Sequence, residues 1–260
     1  MHVHVPKPLH GWKAFFNEIF VIVIGVLIAL GFEQVVEWVH WQHKVADGEE
    51  RLRLELAQFF RITTEIVATS PCVLARYDAL ATRVENSGER LSPSPLTPPS
   101  PLLSFMGDKG AVIAPTGRIF TPAIFDAIRA DGTLLHMSPV QQRRIAVTYR
   151  LVDMINETPA QDLVPPDTLA QPIALDPSTR ADLLNRISAA RRAYRYRAFR
   201  SVQIARAVAD MGMDVPGAEI DRLIAERNAP LKRECGAEGH PFADWRAAIA
   251  VQPTFAQLGQ

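Results

Sequence analysis

The chain has 260 residues, 48% of them hydrophobic and 22% charged, and its 28 basic side chains balance 28 acidic ones. That balance argues against a nucleic-acid protein, which needs surplus Lys and Arg for phosphate contacts. It also argues against a disordered chain, which would be charge-rich and apolar-poor. The mean hydropathy of +0.02 is high for an ordinary soluble protein, so apolar residues are expected to be concentrated somewhere.

They are concentrated at the start. Ile19 to Phe32 reads IFVIVIGVLIALGF, with no polar side chain. Fourteen helical residues span only ~21 Å, but a helix from Phe15 to Val36 is about 33 Å long, enough for a hydrocarbon core. Asn17, Glu18, Glu33 and Gln34 then fall near the two interfaces, where polar groups are tolerated. Trp12 precedes the span and Trp38 and Trp41 follow it, as in an aromatic belt. Lys7 and Lys13 lie before the span, with His2, His4 and His10. Glu33, Glu37, Asp47, Glu49 and Glu50 lie after it, against Lys44 and Arg51. The positive-inside rule predicts a cytoplasmic N-terminus and a periplasmic remainder in a bacterial inner membrane. Ala29-Leu30-Gly31 also resembles a signal-peptidase site. Glu18 directly before the apolar run, and the helical pattern continuing through Val35, Val36, Val39 and Trp41, favour an uncleaved anchor. Ile22, Gly25 and Ala29 form a candidate face for a transmembrane homodimer, because small residues four apart let helices approach.

Beyond the span, Leu52, Leu56, Phe59, Thr63 and Ile66 step by four and three residues, an amphipathic helical face. Gly48 is expected to interrupt or bend it. Ser70-Pro71 reads as the N-cap and first position of a second helix ending near Asn86-Ser87-Gly88. Ser92 to Pro101 carries five prolines and reads as a spacer. Val112-Ile113 is a candidate short strand. Thr121-Pro122 and Ser138-Pro139 each open a helix, and Asp176-Pro177 opens the longest soluble one, reaching about Met211. Its expected buried stripe is Leu183, Leu184, Ile187, Ala190, Tyr194, Ala205 and Val208. Pro216 starts a shorter helix. A loop with Gly236 and Gly239 leads to a last helix around Trp245.

The predicted fold is all-α: an N-terminal transmembrane helix continuing into a helical bundle with a Pro-rich linker. The expected divisions are a short cytoplasmic N-terminus over 1–14, the span and juxtamembrane turn over 15–39, a helical stalk or hairpin over 40–90, the linker over 91–117, and a helical domain over 118–260 that packs on 40–90.

Catalytic signatures are missing: there is no Walker loop, GxSxG elbow or HExxH. Glu37-Trp38-Val39-His40 has ExxH spacing, but a di-iron bundle needs two copies and further carboxylates. That stretch, with His43, reads as a hydrated helix surface. No cofactor or metal is expected. Cys235 and His240 lack the further ligands a zinc site requires. In an oxidising compartment Cys72 and Cys235 are a candidate disulfide, with a buried free thiol as the competing reading. Arg191, Arg192, Arg195, Arg197 and Arg200 interleave with Tyr194, Tyr196 and Phe199. They spread around the helix circumference and read as solvated faces and ion pairs, not a single-strand binding groove.

Glu18 to Gly31, EIFVIVIGVLIALG, and Thr121 to Leu134, TPAIFDAIRADGTL, with Tyr149 in the following helix, resemble uncharacterised single-pass bacterial inner-membrane proteins. The resemblance covers about a third of the chain. It implies a membrane anchor and a helical extracytoplasmic domain, and it carries no reaction. The expected function is a membrane-anchored interaction or scaffold protein of the cell envelope. Its partners would be the lipid bilayer, a second copy, or another membrane or periplasmic protein, with no nucleic acid. The alternatives are a sensor-like domain signalling through a membrane partner, and an enzyme with an unrecognised helical site, which a pocket gathering Asp126, His136 and Tyr149 would favour.

Overall fold

The computed structural model describes residues 12–92, 120–157 and 172–251. Among them the chain forms seven α-helices, one 3-10 turn and a two-residue antiparallel ladder. The fold is all-α. The Pro-rich stretch from Pro93 onward and the candidate strand at Val112-Ile113 lie outside the described residues.

Helix α1 (Trp12–Asn86) runs 75 residues without interruption, about 110 Å at ~1.5 Å per residue. Its N-terminal part carries the apolar run, and its remainder is the spine of the folded domain. The expected new helix at Ser70-Pro71 does not occur, and residues 40–90 hold no hairpin. Proline cannot donate to the carbonyl four residues back, here that of Val67. The Ser70 hydroxyl donates to that carbonyl instead, at 2.8 Å. The next carbonyl, of Ala68, accepts from the Ala243 N–H of the C-terminal loop at 2.8 Å. The Ser70 hydroxyl thus replaces the donor the proline lacks, and the distant loop adds a donor at the adjoining carbonyl. Thr63, Thr64 and Thr69 are also buried here, and each hydroxyl bonds back to the preceding turn.

Gly48 does not interrupt α1 either. It is buried, and a Cβ there would stand 3.1 Å from Thr133 Cγ2. Its role is close approach: it lets the 3-10 turn (Thr133–His136) lie against the helix.

Helix α2 (Ala123–Ala130) leads into that turn, and α3 (Pro139–Asn156) follows. Ser138 opens α3 with a full capping box, exchanging bonds with Gln141. The long α4 (Pro177–Asp210) is capped by Asp176, which accepts from the N–H groups of Ser178 and Thr179. It packs antiparallel along α1, with Asp78 paired to Arg191 and Tyr77 beside Tyr194. The Arg180 guanidinium donates to the carbonyls of Val84, Glu85 and Gly88, closing the C-terminus of α1. The short strands β1 (Arg90–Leu91) and β2 (Ile173–Ala174) pair at this end.

The expected stripe of α4 is buried, apart from half-buried Leu184. Its first part, Leu183 to Tyr194, meets Val73, Tyr77, Leu80 and Val84 of α1 in one core cluster. A larger cluster surrounds residues 52–68 of α1 and takes in Phe120, Phe125, Tyr149, Val152 and Ile204. Helices α5 (Gly217–Arg227), α6 (Ala229–Ala237) and α7 (Trp245–Ala250) complete the bundle. The sequence reading placed Gly236 in a loop. It lies inside α6, which covalent and ionic contacts hold against α1.

Candidate functional site

The first feature is the apolar part of α1. From Phe15 to Val39 its large side chains are exposed, among them Phe20 at 61%, Leu27 at 61% and Phe32 at 69%. It is one helix long and apolar enough to cross a membrane, and none of its apolar window is buried against the rest of the chain. Ile22, Gly25 and Ala29 sit on one exposed face of this segment, and the space around Gly25 is open.

A collar closes the segment where the folded domain begins. Trp38 is exposed at 63%, but Trp41 is not a free interfacial ring. His136 stacks on it with ring centroids 3.7 Å apart. Lys44 Nζ lies 4.7 Å from the Trp41 ring centre and 3.3 Å from the Asp131 carboxylate. Thr133 donates to Asp131 through both its hydroxyl and its N–H, and these bonds, ahead of Lys44, hold the Asp131 carboxyl below its usual range. Gly132 takes a left-handed φ of 81° to turn the chain onto Trp41.

A half-buried polar node stands further along α1. Glu55 Oε2 accepts from the Ile124 N–H at 2.8 Å, and Oε1 accepts from the Phe125 N–H at 3.3 Å. The Tyr149 hydroxyl donates to the same Oε1. Thr121-Pro122 was the expected cap of α2, yet no side chain there caps it. The cap comes from Glu55, 69 residues away, with a full charge at the positive end of the helix. Tyr149 is sandwiched by aromatics: Phe125 stacks at 4.0 Å, and Phe59 meets it edge-on at 5.8 Å. Burial, then the Glu55 carboxylate, push the Tyr149 hydroxyl well above its ordinary value. A groove of 370 Å³ runs beside this node along Leu54, Glu55, Gln58 and Ile124.

The third feature is a clamp. Cys72 and Cys235 are joined by a disulfide with Cα atoms 5.6 Å apart. It bonds α6 to α1 across 163 residues of chain, and both cysteines are fully buried. One turn on, Arg76 is only 2% exposed and pairs with Glu234 at 2.8 Å and Glu238 at 3.1 Å. The bridge consumes the thiol that a Cys235–His240 metal pair would need. Among the described residues no group of three His, Cys, Asp or Glu side chains converges as a metal site.

The other residues singled out in the sequence are not brought together. Asp126 pairs with Arg129 of its own helix at 3.2 Å, Tyr149 holds Glu55, and His136 lies on Trp41. The arginines of α4 divide. Arg191 pairs with Asp78, and Arg200 lies over Tyr196 and Phe199. Arg197 departs from the expected solvated face: it is 6% exposed and lies over Phe120. Burial lowers its pKa from the usual arginine value. Glu55 had no signal in sequence beyond a charge next to an apolar stripe. Its partners lie on two other helices, so spacing could not reveal it.

No family model, curated protein or solved structure matches this chain.

Proposed function

We propose that this is a single-pass membrane-anchored protein of the bacterial cell envelope whose helical domain acts as an interaction or scaffold module. One observation carries the reading: none of the apolar window of α1 is buried, yet the segment continues as one helix into the core of the domain. In water, a contiguous apolar surface of that size is an aggregation liability; in a bilayer it is an anchor. The buried disulfide supports an oxidising compartment, since such bridges are rare in the cytosol. The charge distribution, with Lys7 and Lys13 before the span and acidic residues after it, supports a periplasmic domain. Kinship with the single-pass family that Glu18–Gly31 and Thr121–Leu134 resemble belongs to the same proposal.

A second reading draws on the continuity of α1. A helix that is both span and spine transmits tilt or rotation of the membrane segment into the domain without a hinge. That suits a sensor-like domain acting on a membrane partner, with Ile22, Gly25 and Ala29 as the face where two copies would meet.

The test is fractionation of the native chain with carbonate extraction, together with reporters fused after Val251. Retention in the membrane pellet at full mass, with activity only from a periplasmic reporter, is the expected result. Release into the soluble fraction, a mass lacking the first thirty residues or so, or activity only from a cytoplasmic reporter overturns the reading. Crosslinking with pull-down from native membranes then separates scaffold from sensor by the partner recovered.

A further inference from the structure

The collar has a geometry that the anchor alone does not require. The 3-10 turn runs down α1 toward the apolar segment. Thr133 sits at the level of Gly48, and His136 at the level of Trp41, seven residues nearer the span. Trp41 is five residues beyond Val36, the end of the span. In a continuous helix that is about 7.5 Å. The headgroup layer on each side of a ~30 Å hydrocarbon core is about 5–8 Å thick. The Trp41–His136 stack therefore stands at headgroup height. No hinge intervenes, because α1 is helical throughout this stretch.

At that height the domain presents apolar side chains. Leu135, next to the stack, is 77% exposed, the most of any described leucine. Trp38, exposed at 63%, lies one turn nearer the span. A groove of 390 Å³ opens between Gln34, Trp38, Trp41 and His136, reaching from the end of the span to the underside of the domain. A single exposed leucine means little on its own. Here it adjoins two tryptophans on neighbouring turns of α1, one of them stacked on His136 and faced by the Lys44 ammonium, a grouping of amphipathic rings that favours a membrane interface.

We infer that the underside of the domain, formed by Leu135 and His136 of the 3-10 turn with Trp38 and Trp41 of α1, is a lipid-contact surface seated in the headgroup layer. The inference rests on the anchor reading and adds to it: the domain does not stand free on a stalk. Because the turn lies on one side of α1 only, the contact also selects the direction in which the span tilts. An apolar turn on one side draws the helix over toward that side.

The test uses the full chain in vesicles of phosphatidylcholine and phosphatidylglycerol, with a nitroxide attached to Leu135→Cys or, as a control, Phe199→Cys. Both sites are exposed, so neither substitution opens the core, and the native cysteines are bridged. Phe199 lies on α4, far along α1 from the span. The expected result is relaxation dominated by oxygen at position 135 and by a water-soluble nickel chelate at 199, with oxygen-to-nickel ratios differing several-fold. If the chain floats with the vesicles but both labels respond alike to nickel, this inference fails and the anchor stands. If the chain does not float, both fail. A label at 135 shielded in native membranes but not in vesicles overturns lipid contact in favour of a protein partner.

Discussion

Removing the Cys72–Cys235 bridge is the most direct test of how the domain holds together. The bridge closes a loop of 163 residues. Chain-entropy reasoning assigns such a loop about 17 cal/mol/K, or about 5 kcal/mol at 25 °C, and measured losses for native bridges run at about 2–5 kcal/mol. The other ties between α6 and α1 are non-covalent, among them the side chain of Asn228, the N-cap of α6, which donates to Glu65 at 3.0 Å. Leu231 packs against the cystine, and Arg76 reaches Glu234 and Glu238. The Ala243 N–H that satisfies the Ala68 carbonyl beside Pro71 lies eight residues beyond Cys235. Opening the bridge therefore loosens the support of the proline turn as well. A chain of this size loses about 2–4 °C per kcal/mol, so Cys72→Ser/Cys235→Ser should melt roughly 5–20 °C below the native chain. The assay is circular dichroism in detergent, oxidised against reduced, with thiol counting under denaturing non-reducing conditions. Two titratable thiols in native protein isolated without reductant would refute the bridge. An unchanged melting temperature on reduction would refute the argument that it holds α6.

The Glu55 node gives a second test: Glu55→Ala should cost about 2–4 kcal/mol, from a lost helix cap and a hydrogen bond to a charged group. Tyr149→Phe should cost about 1.5–3 kcal/mol, and a double-mutant cycle should show coupling near 1 kcal/mol or more; additive losses would deny the contact. A third test is alkaline. Burial, then Tyr194, push Tyr77 up to about 12 from 10.0, and Tyr149 is raised too. The folded state keeps these phenols neutral while the unfolded state ionises them. The stability they contribute is thus complete below pH 10 and lost as pH rises from there through their folded values, about 3 kcal/mol from Tyr77 alone. Absorbance at 295 nm should show Tyr77 and Tyr149 ionising only as the helical signal collapses; four phenols titrating together near pH 10 in folded protein would contradict this. Fourth, Gly48→Leu should cost about 1–3 kcal/mol by overpacking against Thr133. Gly48→Ala should stay within about 1 kcal/mol, since better helix propensity offsets the tight methyl contact. Hydrogen exchange in the 3-10 turn should rise in the leucine variant first.

Much of this architecture follows from local rules. The apolar run at Ile19–Phe32, the caps at Ser138 and Asp176, the buried stripe of α4 and the all-α class are each written in neighbouring residues. Periodicity and capping act over one or two turns, so they are readable without the rest of the chain. The failures share a cause. Pro71 signalled a break because its missing donor is a local fact, while the packing that keeps the helix going, including the Ala243 N–H on the adjoining Ala68 carbonyl, comes from far away in sequence. Gly48 signalled flexibility because the side chain that needs its space, Thr133, belongs to another element. Gly236 signalled a loop because the bridge and ion pairs that hold α6 against α1 are contributed by the opposite end of the molecule. Arg197 signalled a solvated face because nothing nearby announces that α4 lies under Phe120. Glu55 signalled nothing, since a helix cap supplied from a different helix has no spacing rule. The sequence by itself determined that one apolar helix leads into a helical domain. Only the tertiary structure decided that α1 continues unbroken through Pro71 to Asn86, because the Ser70 hydroxyl that serves the Val67 carbonyl is local, but the donor to the Ala68 carbonyl and the surfaces that cover both faces of this stretch are brought there by packing.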